Sequence, residues 1–373
     1  MARISRLFTF VFACVLSAGG VGCSTGPRSE ADVFDNLTLL SGKFTEATEP
    51  AVSPDGRWLA FRGTEPGEAT AALYVAPLSE QAGRLSLGQP VRVTPPGVEG
   101  LSAAFSPDGQ AIVLALAVRE GLRVEARRPG RDVVAGQLHI AEGWQGALAA
   151  VEPGRGVDLT GRRLPLEGMG AISPAFSPVD KNLAFTTRQG EGASPQAPQA
   201  GVAVLHADGT ITRLTDEGRY ADRFSPGPGG FRVAYTQGEP WKGLLRVMVA
   251  TAAYDPDGRL VKLLQVGELP GPAAVQFAPA WHPLGEHLLY ASSEKGFDNY
   301  ELFVASLGTD RRIRLTFTGG YDGLGLFTPD GRHVVWVSQR GPPDAAGKPV
   351  NRLYAARFIW PLVKQPKATQ GNG

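Results

Sequence analysis

One short turn recurs along the whole of this 373-residue chain, and it constrains the architecture more than any other feature. It reads SPDG at residues 53–56 and 106–109, then in altered form SPVD from Ser177, SPGP from Ser225, HPLG from His282 and TPDG from Thr328. Proline presets φ at the second position, Asp hydrogen-bonds its own backbone, and Gly accepts the positive φ that closes a hairpin. Each copy is expected to join two antiparallel strands. Six copies mean a repeat protein.

The flanks repeat as well. Two residues before each Pro stands an apolar residue: Val52, Phe105, Phe176, Phe224, Trp281 and Phe327. After each turn apolar residues alternate: Leu59 and Phe61, Ile112 and Leu114, Leu183 and Phe185, Val233 and Tyr235, Leu288 and Tyr290, Val334 and Trp336. Period two is the period of a strand. The fourth copy needs two extra residues before its pattern resumes, which predicts a bulge at Gly229 and Gly230. A third strand, such as Leu73-Tyr74-Val75, and a fourth ending in a hydrophobic-Thr pair complete each unit. The pairs are Val93-Thr94, Leu159-Thr160, Leu214-Thr215 and Leu315-Thr316, while the fourth unit offers only Leu263-Leu264-Gln265-Val266.

Four strands per unit predict an all-β chain: a six-bladed β-propeller of four-stranded antiparallel blades. The last unit lacks a fourth strand after Leu353-Tyr354-Ala355, and Leu37-Thr38 stands ahead of the first turn. An N-terminal strand is therefore expected to complete the last blade, which removes the free strand edges that an open array would leave. The propeller is expected over residues 37–358, with a flexible tail over 359–373.

The N-terminus differs in kind. Arg3 and Arg6 precede an apolar run, and small residues lead to Cys23, which predicts a signal peptide over residues 1–22. The run is too short, and too soon interrupted by Gly19, Gly20 and Gly22, to span a bilayer. Cys14 and Cys23 are the only cysteines, so no internal disulfide is expected in the folded part. Net charge is +1 with no dense Lys/Arg cluster, which argues against nucleic acid as a partner.

Two resemblances follow from these residues. Gly22-Cys23 resembles the cleavage box of bacterial lipoproteins, which implies acylation of Cys23, a tether over residues 23–36, and membrane attachment through a lipid. In that family Ser24 implies the periplasmic side of the outer membrane. Gly20 stands where such boxes usually carry Leu, and the alternative is a soluble periplasmic or secreted protein. The SPDG turn, its preceding apolar residue, the alternating strand and the terminal Leu-Thr resemble the repeats of TolB-like propellers across roughly residues 37–358. TolB itself carries an α/β domain before its propeller, for which residues 24–36 leave no room. Similar blades occur in prolyl-oligopeptidase-type peptidases and oligogalacturonide lyases, so the motif speaks for fold and not for function.

Chemistry is sparse. There is no GxSxG elbow, P-loop or dinucleotide fingerprint, and no cofactor or metal is expected. Of five histidines, His287 and His333 share the register of Trp58, which reads as a recurring outward position; His282 replaces a turn Ser, and His139 and His206 fall on third strands. In a four-stranded blade, the loops between the second and third strands and those leading into the next blade emerge on one face. That face gathers Arg219, Tyr220 and Asp222, then Glu294, Lys295 and Asp298, then Tyr321, Asp322 and Arg340. Arg and Tyr are favoured interface anchors. The expectation is a non-catalytic, lipid-anchored envelope scaffold contacting a protein or peptidoglycan-associated partner through that face. The alternative is a lyase or hydrolase acting on a carbohydrate or lactone in the channel.

Overall fold

The computed structural model describes residues 26–117, 136–166, 169–180, 182–188, 200–215, 220–309 and 311–361. Cys14, Cys23 and the tail beyond Pro361 lie outside them. Six antiparallel sheets form a ring. We letter their strands a to d from axis to rim.

Blade 1 comprises Glu46–Val52, Trp58–Thr64, Ala72–Gln81 and Val91–Arg92, with Arg84–Leu87 folding back on the far end of strand c. Blade 2 comprises Gly100–Phe105, Ala111–Ala117, Gly136–Glu142 and Arg162–Arg163, with a helix at Trp144–Ala149 between the last two. Blade 3 comprises Gly170–Phe176, Leu183–Arg188, Ala200–Leu205 and Ile211–Arg213; blade 4, Tyr220–Pro226, Arg232–Glu239, Leu244–Tyr254 and Leu260–Glu268. Blade 5 comprises Gln276–Trp281, His287–Ser292, Glu301–Ser306 and Arg312–Arg314. Blade 6 takes Asp322–Phe327, His333–Ser338 and Arg352–Phe358 from the C-terminal end, and its strand d is Phe34–Leu39. The predicted closure is present.

The repeated turn carries its own hydrogen bonds. Ser53 Oγ donates to Asp55 Oδ1 at 2.6 Å, and the same Ser oxygen accepts the N–H of Trp58 at 3.0 Å. Ser106 with Asp108 and Thr328 with Asp330 repeat the first contact at 2.6 Å. The fourth copy differs from the sequence expectation. Its closing bonds run from Gly227 N to Arg232 O and from Gly230 N to Gly227 O, so the turn is Gly227-Pro228-Gly229-Gly230 and Pro226 ends strand a. No two-residue bulge is needed; Ser225-Pro226 imitates the turn two residues early.

The Leu-Thr pair also has a physical role. The apolar member's N–H reaches a strand c carbonyl, and the hydroxyl accepts the next strand c N–H: Leu214 to Val202 O at 2.8 Å with Val202 N to Thr215 Oγ1 at 2.9 Å, and likewise Leu315 and Thr316 around Leu302. By this criterion the closing pair of blade 6 is Leu40-Ser41, with Leu40 N to Leu353 O at 2.8 Å and Leu353 N to Ser41 Oγ at 2.9 Å, three residues beyond Leu37-Thr38. In blades 2 and 4 the position falls at Leu164-Pro165 and Leu269-Pro270, not at Leu159-Thr160 or Leu263 to Val266.

Among the described residues the apolar core is not central. Six apolar clusters lie between neighbouring blades, one per interface. The larger residues of strand b, Phe61, Leu114, Phe185, Tyr235, Tyr290 and Trp336, face the preceding blade, and the intervening Ala60, Ala184 and Ala234 face the following one. Both faces of strand b are buried. The expected outward register is corrected accordingly: Trp58 meets Trp144 of blade 2 at 5.3 Å, and the buried His333 reaches Gly83 O of blade 1 at 3.0 Å.

Ser41→Ala strands a buried N–H and should cost about 1–3 kcal/mol, whereas Thr38→Ala should stay within about 0.5 kcal/mol. Denaturant midpoints at constant m measure both; the reverse order would return the closing pair to Leu37-Thr38.

Candidate functional site

The inner strands are built around a recurring irregularity. In blades 1, 3, 4, 5 and 6 strand a carries a bulge whose first residue is left-handed: Glu49, Ser173, Arg223, Ala278 and Leu324, with φ between 49° and 58°. An L residue there costs about 1–2 kcal/mol. Three of the strained N–H groups are satisfied by hydroxyls of the preceding blade: Ser173 by Ser102 at 3.1 Å, Arg223 by Thr186 at 3.3 Å, and Ala278 by Thr236 at 3.1 Å. The bulge residues and the strand below them line a channel cavity of about 370 Å³ that extends on the turn side as far as Pro329.

Two of these residues meet across the axis. Blades 1 and 4 stand opposite in a six-membered ring, and the Arg223 guanidinium grips the Glu49 carboxylate with two bonds of 2.5 and 2.6 Å. Burial alone would lower the pKa of Arg223; the attraction of Glu49 and its hydrogen bonds outweigh that and hold it above its usual value. Beside the pair, burial pushes the Tyr321 hydroxyl well above the ordinary phenol range, with Glu49 adding to the effect and Arg223 opposing it. Sequence reasoning did not single out Glu49 or Arg223. A signal existed, because Pro50, Pro174 and Pro279 each sit inside a strand four residues before a turn Pro, and strand Pro marks a bulge or an edge.

The nine loop-face residues fall into separate places. Arg219 lies outside the described residues. Near the channel mouth, Tyr220 donates to Asp222 Oδ2 at 2.9 Å and Thr186 to Asp222 Oδ1 at 2.5 Å; the Tyr321 ring lies 6.2 Å from Phe277 and 6.0 Å from Tyr300. On blade 5, Glu294 pairs with Arg312, while Lys295 and Asp298 are exposed around Phe297, itself 86% exposed. On blade 6, Asp322 is buried and accepts from Thr318 at 2.7 Å and Trp336 Nε1 at 2.9 Å. Arg340 grips Glu30 and lies over the Trp336 and Tyr354 rings at 5.0 and 5.3 Å.

The turn face is asymmetric. At the third turn position blades 6, 1 and 2 carry Asp330, Asp55 and Asp108, whereas blades 3, 4 and 5 carry Val179, Gly229 and Leu284. With Phe231 just after the fourth turn, these make an exposed apolar crescent: Val179 at 58%, Phe231 at 69% and Leu284 at 54%. The turns are adjacent, since Val179 packs on Gly230 and Pro228 on Gly285.

No protein-family profile matches the chain, and no curated protein matches it by sequence. Solved structures do. A protein described as a TolB from Agrobacterium tumefaciens is 17% identical, with a TM-score of 0.51 over 88% of this chain and 99% of that one. This chain has the TolB-like propeller fold. TolB from Acinetobacter baumannii follows at 18% identity and a TM-score of 0.47, covering 75% of this chain and 56% of that one. An oligogalacturonate lyase in complex with manganese follows at 15% and 0.47, covering 87% and 97%.

In this TolB-like propeller none of the five histidines lines the cavity. His139 Nδ1 bonds Thr160 O at 2.9 Å, and His206 sits between Asn182 and Thr212. Among the described residues one group, Glu80, Asp330 and His333, brings potential metal ligands within 4.8 Å of one another, but Arg332 pairs with both carboxylates and His333 spends Nε2 on Gly83 O. Burial, with His287 nearby, pushes His282 down from 6.5 to about 4.

Replacing either Glu49 or Arg223 by a similarly sized apolar residue should cost about 2–3 kcal/mol, less than for a dry pair because water reaches both side chains. The double replacement should cost clearly less than the sum, and an additive thermodynamic cycle would show the pair to be uncoupled. For His282 the fold keeps the ring neutral while the unfolded chain takes up a proton below pH 6.5. That stability is complete above pH 6.5 and is lost as pH falls towards 4, by up to about 3 kcal/mol. His282→Ser, which restores the residue of the first three turns, should flatten the pH dependence of Tm in that window; an unchanged slope would remove His282 as its source.

Proposed function

We propose that this protein is an exported, lipid-anchored scaffold of the cell envelope that binds a protein partner through the turn face of its propeller. The observation that supports this reading is the exposed apolar crescent of Val179, Phe231 and Leu284 on the turn face. Val179 and Leu284 stand where the intact turns carry Asp55, Asp108 and Asp330, and Phe231 stands where they carry Arg57, Gln110 and Arg332, so charged or polar positions of the repeat have become exposed apolar surface. Contiguous exposed apolar surface on a soluble face is a common mark of an interaction site. The TolB-like fold is compatible with a binding role.

The loop face supplies a second candidate contact. Tyr220, Asp222, Asp322 and Arg340 are committed to bonds within the ring, whereas Lys295 and Asp298 stand exposed around Phe297. Together with Arg219, Glu294 and Tyr321 they form the loop-face set chosen from sequence. A channel enzyme of the lyase kind would be expected to set histidines and carboxylates around the cavity, and the cavity instead offers apolar residues from Ala to Phe, three serines, prolines and one neutralised ion pair.

Photo-cross-linking in whole cells separates the surfaces. A photoreactive residue at position 231 should give a protein adduct that disappears when Val179 and Leu284 are both changed to Asp, the residue of the intact turns. These changes should alter stability by no more than about 0.5 kcal/mol each. Adducts arising only from position 297, or unaffected by the two Asp changes, would move the contact to the loop face.

A further inference from the structure

The linker that leads from blade 4 into blade 5 covers two polar side chains that the fold leaves unpaired. Gln276 opens strand a of blade 5 and is fully buried, yet neither its amide nitrogen nor its amide oxygen has a hydrogen-bond partner. The Tyr290 hydroxyl on strand b is equally buried, lies toward the guanidinium of Arg312, and makes no well-formed hydrogen bond. A buried polar group left unpaired costs about 1–3 kcal/mol. Native folds pair such groups with protein, water or ligand.

The surroundings have the form of a small-molecule site. A cleft of about 320 Å³ lies between Leu269 and Pro270 at the end of blade 4 and residues 305–309, Arg311 and Arg312 of blade 5. That is the small end of the range for ligand pockets. Arg312 lines the cleft and pairs with Glu294, while Gln276 stands on its axis side. The linker passes directly above. A Cβ at Gly271 would lie 2.7 Å from Gln276 Nε2 and 3.8 Å from Arg312 Nη1. Gly271 is exposed and is not left-handed, so its backbone does not require glycine, but the space over the amide does. The linker is fastened at its ends, by Leu269 N to Val247 O at 2.8 Å and by Arg246 to Ala274 O. Among the described residues no backbone hydrogen bond holds residues 270–273 between them, so this stretch can lift without breaking one.

We propose that the seam between blades 4 and 5 binds a small neutral ligand carrying a primary carboxamide or a lactam. Gln276 offers a donor and an acceptor side by side. A group that answers both must present C=O and N–H on one edge, as a primary amide or a lactam does and an alcohol or a trans secondary amide does not. Arg312 and Glu294 neutralise each other, so a carboxylate would be repelled by Glu294 and an ammonium by Arg312. The body of the ligand rests on Leu269, Pro270, Ala305 and Leu307. The seam is separate from both the turn-face crescent and the channel cavity.

Isothermal titration of the intact protein with benzamide, a primary carboxamide, and with N,N-dimethylbenzamide, which cannot donate, tests the site. Benzamide should bind saturably, and the dimethyl compound about tenfold more weakly or less. Gln276→Met removes both amide groups at similar shape, and Gly271→Val fills the space above them; each should weaken benzamide binding by about tenfold or more. Because the amide has no partner in the fold, Gln276→Met should leave the Tm of the unliganded protein unchanged or raise it. A fall in Tm would mean that the amide is held by structural water or by the fold alone, and would overturn the site. So would equal binding of the two compounds, equal benzamide binding by the parent and Gln276→Met, or no benzamide binding at all.

Discussion

Each inner strand but one carries one residue too many at the same height, and the ring is organised by that surplus. A bulge on a strand at the axis turns a side chain inward that would otherwise lie between blades. It also forces an L residue into a left-handed conformation, a strain that is relieved where a hydroxyl from the neighbouring blade meets the turned N–H, as Ser102, Thr186 and Thr236 do. The irregularity therefore stitches adjacent blades together near the axis. It also projects Glu49 and Arg223 toward each other across the ring.

Because the apolar clusters lie between blades, no blade has a core of its own. A sheet buried on both faces needs two neighbours, and the first and last blades have them only after Phe34–Leu39 joins strands from the other end of the chain. Stability of this kind is shared round the ring. A change at one interface reaches the next through a strand whose large and small sides belong to different clusters.

The fold was legible because a Pro-Gly turn and a period of two are local signals. Six turns gave six blades, and the missing strand at one end with the spare one at the other gave the closure. What was misread was also local. Ser225-Pro226 has the letters of the turn, but the hydrogen bonds belong to Gly227-Pro228-Gly229-Gly230, and only pairing across the hairpin distinguishes them. Leu37-Thr38 and Leu159-Thr160 have the letters of the closing pair but not the bond to strand c. Alternation indicated that one face of strand b is buried; it could not show that the other is too, which is why His287 and His333 read as outward. The axial pair was hidden because Glu49 and Arg223 are 174 residues apart and meaningful only once the ring exists. The crescent could be read in principle, since its residues are the very departures that make three turns look degraded.

The ion pair across the axis changes what kind of space the propeller encloses. Glu49 and Arg223 pair across the axis with Tyr321 beside them, so the channel that holds the cavity is bridged by a salt link and is not an open bore along its whole length. The turn side of the ring has unlike halves, with Asp at the third turn position in blades 6, 1 and 2 and Val179, Gly229 and Leu284 there in blades 3, 4 and 5. A molecule arriving there meets a surface with a direction built into it, although the ring beneath is nearly sixfold.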